Sequence, residues 1–299
     1  MEITQSNIAG LTTGFKATFN QTLESTETFY EQVATKVQSS TKYEDYPFLG
    51  QMPHMRKWIG DREIQNFSSY NYVVANEKYE STFAIKRDEI EDDQYGKYRP
   101  TMKAYAEAAA KLPDQLVLDA MTQGFDAKCY DGKSFFNTGH KIGNKTFSNM
   151  TTYKLSRESL RAARTAMMSL VGDKGRSLGI VPNLLIVPPQ LETTAKEILD
   201  MERTESGASN IDRNLVPWKM LVDLSANENM WFLLCTNKFI KPFIYQERKK
   251  IEFVYRTNEK DDNVFMRDEF EYGASARGAA AYGLWQLAYG STGETNAQG

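Results

Sequence analysis

A chain of 299 residues with 41% hydrophobic and 12% aromatic residues can bury roughly 75% of its unfolded surface, which excludes a disordered polypeptide. Basic and acidic residues nearly balance, 36 against 39, for a formal net charge of -3, which excludes a binder that draws its affinity from neutralising phosphates. The longest charge-free stretch near the end, Gly278 to Thr292, is broken by Gly283, Gln286 and Gly290 and is short for a span of about 20 residues.

The opening residues MEITQSNIAGLTTGFKATF lack a basic segment followed by an apolar one and predict no secretory leader. Cys129 and Cys235 are too few for a disulfide scaffold or a four-cysteine zinc site, and they fit a reducing compartment. Asn-X-Thr/Ser matches such as those at Asn20, Asn66 and Asn144 are read as chance without a leader.

Residues 1 to about 45 are polar, with a thin apolar stripe at Phe15, Phe19, Leu23, Phe29, Tyr30, Val33 and Val37. Such a stretch is weak alone. It is either an arm that docks elsewhere or a helix packed on its own domain. An irregular segment follows, punctuated by Pro47, Gly50, Pro53 and Gly60. Ile64, Tyr70, Tyr72 and Val74 share one parity, as do Tyr79, Ser81, Phe83 and Ile85, which predicts a β-ribbon turning at Ala75 to Lys78. A lone ribbon is marginal in water and must lie on something.

Met102, Tyr105, Ala106, Ala109 and Leu112 recur at helical spacing after Pro100. Pro113 then kinks the helix or starts a second one that runs to Gly124. Counted from Ile90 to Gln123, one helix would be roughly 50 Å long. Residues 129 to 150, rich in Gly, Asn and Ser, read as a boundary. Ser156 predicts an N-cap, with Glu158 in the first turn and Leu160, Ala163, Met167, Leu170 and Val171 as the buried stripe. Leu184 to Val187 predicts a central strand, Thr194 to Met201 a helix, and Glu202 to Asn214 a surface loop. Strands are expected at Lys219 to Leu224, Met230 to Cys235, Ile251 to Arg256 and Val264 to Arg277, with the small-residue stretch from Gly278 to Ser291 left as helix or strand. Strands and helices in no regular alternation predict the α+β class.

Catalytic chemistry finds little support. His54 has no metal ligand at useful spacing, and nothing in the sequence shows that Cys129 and His140 meet. Gly172 to Ser177 lacks the Walker spacing and is better explained by a helix cap at Gly172. The acidic run Asp88 to Asp93 reads as a solvated helix start, and Arg248 to Lys250 as a solvent-facing cluster. No catalytic, cofactor or metal site is expected. A soluble enzyme with an unfamiliar site remains the rival of a different class.

Four segments together resemble the major head subunit family of Mu-like bacteriophages and prophages. They are the stretch from Met52 to Pro100, CYDGKSFFNTGHK (129–141), PNLLIVPPQLE (182–192) and the run from Arg267 to Ser291. The resemblance covers about Leu11 to Ser291 and implies the Hong Kong 97-type phage capsid fold. On that mapping residues 1–45 form an N-terminal arm and 46–87 an extended β-hairpin, the E-loop. A peripheral domain with a spine helix takes 88–150 and 240–275, and an axial domain takes 151–239 and 276–299. The implied function is a major capsid protein that self-assembles into pentamers and hexamers of an icosahedral shell around double-stranded DNA, in the bacterial host cytoplasm. A nanocompartment shell around a cargo enzyme is the alternative within that fold. The implied partners are further copies of the chain, a separate scaffolding protein because only about 45 residues precede the ribbon, and a portal. No membrane and no sequence-specific DNA contact are expected. Lys57 and Lys78 lie in the ribbon region, but the resemblance supplies no matching Asn and Glu, so no covalent cross-link is expected. Arg56, Lys57, Trp58, Asp61, Tyr70, Tyr72 and Tyr79 are the expected inter-subunit contacts, since aromatic and Arg anchors dominate interfaces.

Overall fold

The computed structural model describes residues 4–46, 72–92, 97–172, 175–204 and 206–296. In chain order, the first part contains α1 (Gln5–Ser25), α2 (Tyr30–Val33), β1 (Ala34–Gln38), β2 (Tyr43–Asp45), β3 (Val73–Ala75), β4 (Glu77–Lys86) and α3 (Arg87–Asp92). The middle contains α4 (Tyr98–Ala110), α5 (Leu112–Gln123), β5 (His140–Ile142), β6 (Lys145–Phe147), β7 (Met150–Tyr153) and α6 (Arg157–Met168). The remainder contains β8 (Leu184–Val187), α7 (Glu192–Leu199), β9 (Trp218–Met220), β10 (Trp231–Leu234), β11 (Phe243–Arg256), α8 (Asp262–Arg267), β12 (Glu269–Tyr282) and β13 (Ala288–Thr295). None of the described helices is long and apolar enough to cross a membrane.

Two sheets organise the molecule. One has the order β1-β11-β12-β4, with β1 parallel to β11 and the other pairs antiparallel. The other has the order β7-β13-β10-β8-β9, which puts the apolar run Leu184–Val187 inside the sheet as its sequence predicts. The core falls into two apolar clusters. The larger joins the five-stranded sheet to the near halves of β11 and β12 through Phe135, Phe136, Trp231, Phe243, Tyr282 and Trp285. The smaller lies on their far halves, where Ile8, Phe15 and Phe19 of α1 meet Met102 and Ala106 of α4, with Phe253 and Tyr272.

The thin stripe of residues 1–45 is therefore met by the chain itself. Thr4 caps α1, accepting from the Asn7 N–H at 3.2 Å, and Phe19 packs fully buried between Tyr105 and Phe253. Docking on another body is not needed to bury this stripe. Among the described residues, the strands on either side of Ala75 to Lys78 do not pair with each other, while Ile64 and Tyr70 of the expected ribbon lie outside the described residues. β3 pairs with β2, while β4 pairs along its whole length with β12. Among the described residues parity marks the inward face at Val74, Tyr79, Phe83 and Ile85, but alternation carries no information about which strand is the partner. Asn76, buried between them, is the point where the chain passes from one sheet to the other.

The single long helix is also interrupted. α4 ends at Ala110, Lys111 takes a near-bridge conformation, and Pro113 occupies the first turn of α5. Proline has no N–H to give the preceding turn, so a second helix starts there. The supposed boundary at 129–150 is instead the hub of the larger cluster, since Phe135 and Phe136 are fully buried. Its Gly and Asn residues serve turns and side-chain bonds within a packed loop. Val264–Arg267 is the end of a helix, and the strand begins only at Glu269. The stretch after Gly278 continues β12, makes a short 3-10 turn at Trp285–Leu287 and returns as β13. Trp218–Met220 is the strand expected to run on to Leu224, where a 3-10 turn intervenes. Ser156 caps α6 in a reciprocal box with Ser159, but the helix ends at Ser169, so Gly172 is not its cap.

Candidate assembly surfaces

Residues 47–71 lie outside the described residues, and with them His54, Arg56, Lys57, Trp58, Asp61 and Tyr70. The residues on either side of that stretch are tightly held. Tyr46 is buried and its hydroxyl donates to Gln246 Oε1 at 2.6 Å. Gln246 Nε2 donates to Asn76 Oδ1 at 2.7 Å, and Asn76 Nδ2 donates to Ser39 Oγ at 2.7 Å and to the Thr41 carbonyl at 2.9 Å. Glu44 closes the network, accepting from the Ser40 N–H at 2.7 Å, the Thr41 N–H at 3.0 Å and the Ser39 hydroxyl at 2.8 Å. The Thr41 N–H, then the Ser39 hydroxyl and the Ser40 N–H, hold the Glu44 carboxyl down to about 2. On the other side of that stretch, the Tyr72 hydroxyl accepts from the Tyr282 N–H at 3.1 Å, and burial pushes it up to about 12. Tyr79 is half-buried and donates to Glu77 at 3.2 Å; burial, then the Glu77 charge, push it up to about 12.

At the far end of the β11–β12 hairpin, α8 turns one apolar residue in and two out. Val264 is buried, whereas Phe265 is 81% and Met266 74% exposed. The turn that displays them is pinned. Asn263 Nδ2 donates to the Arg256 carbonyl at 3.1 Å and to the Glu269 carbonyl at 2.8 Å, and Asp268 ends the helix in the left-handed region at φ 53°. Its carbonyl accepts from the Arg87 N–H at 2.9 Å.

Cys129 and His140 do come together, through a residue the sequence analysis passed over. Asp131 Oδ2 lies 2.6 Å from His140 Nδ1, and Oδ1 accepts from the Cys129 thiol at 3.2 Å and the Lys133 N–H at 3.1 Å. His140 Nε2 faces the Phe135 carbonyl at 3.2 Å, and the ring stacks on Trp285 with centroids 4.1 Å apart. The three side chains are of metal-ligating type and their ligand atoms lie within 4.8 Å of one another. Their contacts are nonetheless those of a completed hydrogen-bonded clasp. Burial pushes the Cys129 thiol up, which keeps its proton and suppresses both nucleophile and ligand character. Burial works against the Asp131 carboxylate, but the bond and charge of His140 outweigh it and hold the carboxyl below its usual range. The signal was present in the sequence as Cys-X-Asp in a glycine turn, with His nine residues on.

A groove of about 1240 Å³ runs where the end of α1 meets the joint of α4 and α5 and strand β11. Three of its charged groups, Asp114, Lys36 and Glu247, are committed to the fold. Asp114 accepts from the Phe29 and Tyr30 N–H groups at 2.8 Å each, and Lys36 pairs with Glu247 at 2.8 Å. No nucleophile and base are paired across it among the described residues.

Comparison with known proteins shows the following. The model of a family described as Mu-like prophage major head subunit gpT matches residues 8–154, 151–222 and 221–299. The major capsid protein of Escherichia phage Mu is 31% identical over 294 residues, covering 98% of this chain and 76% of that protein. The Mu-like prophage FluMu major head subunit of Haemophilus influenzae is 29% identical over 296 residues, covering 99% of this chain and 76% of that protein. Among solved structures, a chain of the procapsid of bacteriophage JBD30 superposes with a TM-score of 0.63 at 32% identity, covering 98% of this chain and 77% of that one.

Proposed function

The chain belongs to the Mu-like prophage major head subunit family and has the Hong Kong 97-type capsid fold; from that premise we propose that it is a shell-forming major capsid protein. Copies of it associate as pentamers and hexamers into an icosahedral head that encloses double-stranded DNA, with a separate scaffolding protein and a portal as partners and the bacterial cytoplasm as the place of assembly. One observation carries this reading: similarity to the phage Mu major capsid protein runs through 98% of the chain rather than through one module. Both curated relatives are head proteins of a phage or prophage, which favours this role over a nanocompartment around a cargo enzyme.

The chemistry of the chain supports a structural role. The Cys129 thiol is held protonated by burial, and its His140 neighbour is locked between Asp131 and Phe135. A net charge of -3 also suits a lining that must let packaged DNA leave. Within this reading residues 1–45, 46–87, 88–150 with 240–275, and 151–239 with 276–299 remain the proposed arm, E-loop, peripheral and axial regions. Arg56, Lys57, Trp58, Asp61, Tyr70, Tyr72 and Tyr79 remain proposed contacts, although the hydroxyls of Tyr72 and Tyr79 are engaged within their own chain. Sedimentation velocity and negative-stain microscopy of the full chain, alone and co-expressed with its scaffolding protein, test the role. Closed particles of uniform size are expected. A chain that stays monomeric in every condition overturns the reading.

A further inference from the structure

We propose that the groove beside α2 and β11 binds an aliphatic diammonium cation, with one ammonium on Glu247 and the other on Glu31. The first observation is a half-satisfied carboxylate. Glu247 lines the groove and is only 7% exposed. Its Oε2 meets Lys36 at 2.8 Å, whereas Oε1 is buried and no donor among the described residues reaches it. A buried carboxylate oxygen left in that state is costly, and a second cationic donor offsets the cost.

The surroundings suit an ammonium on a short hydrocarbon chain. Tyr30 and Tyr245 line the same groove, both are buried, and their rings meet edge to face with centroids 4.9 Å apart. The Tyr30 hydroxyl donates to Glu31 Oε1 at 3.2 Å. After burial, the charges of Glu31 and then Glu247 push that hydroxyl up, so both carboxylates stand within electrostatic reach of one phenol. Aromatic rings attract ammonium groups, and methylenes between two ammonium groups gain from burial against them. Tyr30 and Tyr245 belong to the larger core cluster and Phe253, which also lines the groove, to the smaller. A cation held here touches both.

Charge and spacing select the occupant. Seven carboxylates and five lysines line the groove, a formal surplus of two negative charges with Lys36 already counted. A dication balances that surplus, and an anion would add to it. The carboxylates are not gathered as a hard metal ion demands, which is about six to eight oxygens around one point. Among the described residues, Cys129, Asp131 and His140 are the one group of three His, Cys, Asp or Glu side chains close enough to share an ion. Carboxylates set apart from one another are instead spanned by an extended organic cation.

The test titrates putrescine into the full chain by isothermal calorimetry and follows melting in parallel. The wild type is expected to bind it saturably, with a melting temperature that rises with putrescine concentration. Butylamine, which carries a single ammonium, should bind about tenfold more weakly, and Glu31→Gln should bring putrescine down to the level of butylamine. Glu247→Gln should weaken both amines about tenfold or more, as loss of one member of a desolvated charge pair does. Glu31 is exposed, so its variant reads the site even where Glu247→Gln does not fold. No saturable binding by the wild type, or wild-type putrescine affinity in Glu31→Gln or in folded Glu247→Gln, overturns the proposal. An equal rise in melting temperature with magnesium chloride, or with sodium chloride at matched ionic strength, does the same. A wild type that binds no diamine but loses its particles in Glu247→Gln also overturns it, and assigns Oε1 to a lysine of a neighbouring molecule. The shell-forming role is judged separately, by the particles of the wild type.

Discussion

Glu44 keeps its charge because the Thr41 and Ser40 N–H groups and the Ser39 hydroxyl already donate to it. Its folded-state value is depressed from 4.5 to about 2, so the stability it confers is present above the ordinary carboxyl range and is lost as pH falls through about 2. Glu44→Gln should therefore lower the melting temperature at neutral pH. The gap from wild type should hold down to about pH 4.5 and close toward pH 2, which a melting series across that range checks. The Asp131–His140 pair is the more buried case, and removing one partner leaves the other without compensation. Asp131→Asn should cost about 3 kcal/mol, measured by urea unfolding. At this scale the sequence was only half legible. Cys129 and His140 stood out by type, but what they do is decided by Asp131 and by the stacked Trp285, which is 145 positions beyond the histidine. No local pattern reports a contact of that range.

Elements were easier to find than to pair. The cap at Ser156, the stripe of α6 from Leu160 to Met167 and the apolar run of β8 follow from local chemistry, and the structure has them where the pattern puts them, while Leu170 and Val171 lie past the helix end. Val74 and Tyr79, expected on facing strands, differ in partner and not in parity: β3 takes β2, and β4 takes β12 from nearly two hundred residues away. The packing of α1 was left open by a stripe too thin to name its partner. Its outcome is decided by Phe19, fully buried against Tyr105 and Phe253. Phe19→Ala should cost about 3–5 kcal/mol in chemical denaturation. It should also raise amide exchange in α1 and α4 first, with the five-stranded sheet unaffected, because those helices share the smaller cluster.

For the whole molecule, the fold class was legible because irregular alternation of strands and helices leaves few architectures open. The division of the core was not. The stretch read as a boundary at 129–150 is instead built into it, since Phe135 packs on Phe243 of one sheet and Phe136 on Phe232 of the other. The real change of scenery lies along β11 and β12, which leave the larger cluster and enter the smaller one without a break in the chain. Between those two environments the ladder slips twice. β11 advances from Glu247 to Lys249 while β12 gives up one residue, and from Lys249 to Glu252 while β12 gives up two. Irregularities of this kind bend and twist a sheet locally. A closed container built from one repeated part must seat that part at rings of five and at rings of six, where neighbours meet at different angles. The slips from Arg248 to Ile251 lie between the two clusters, so a change of bend there would turn one against the other and leave each core packed as it is.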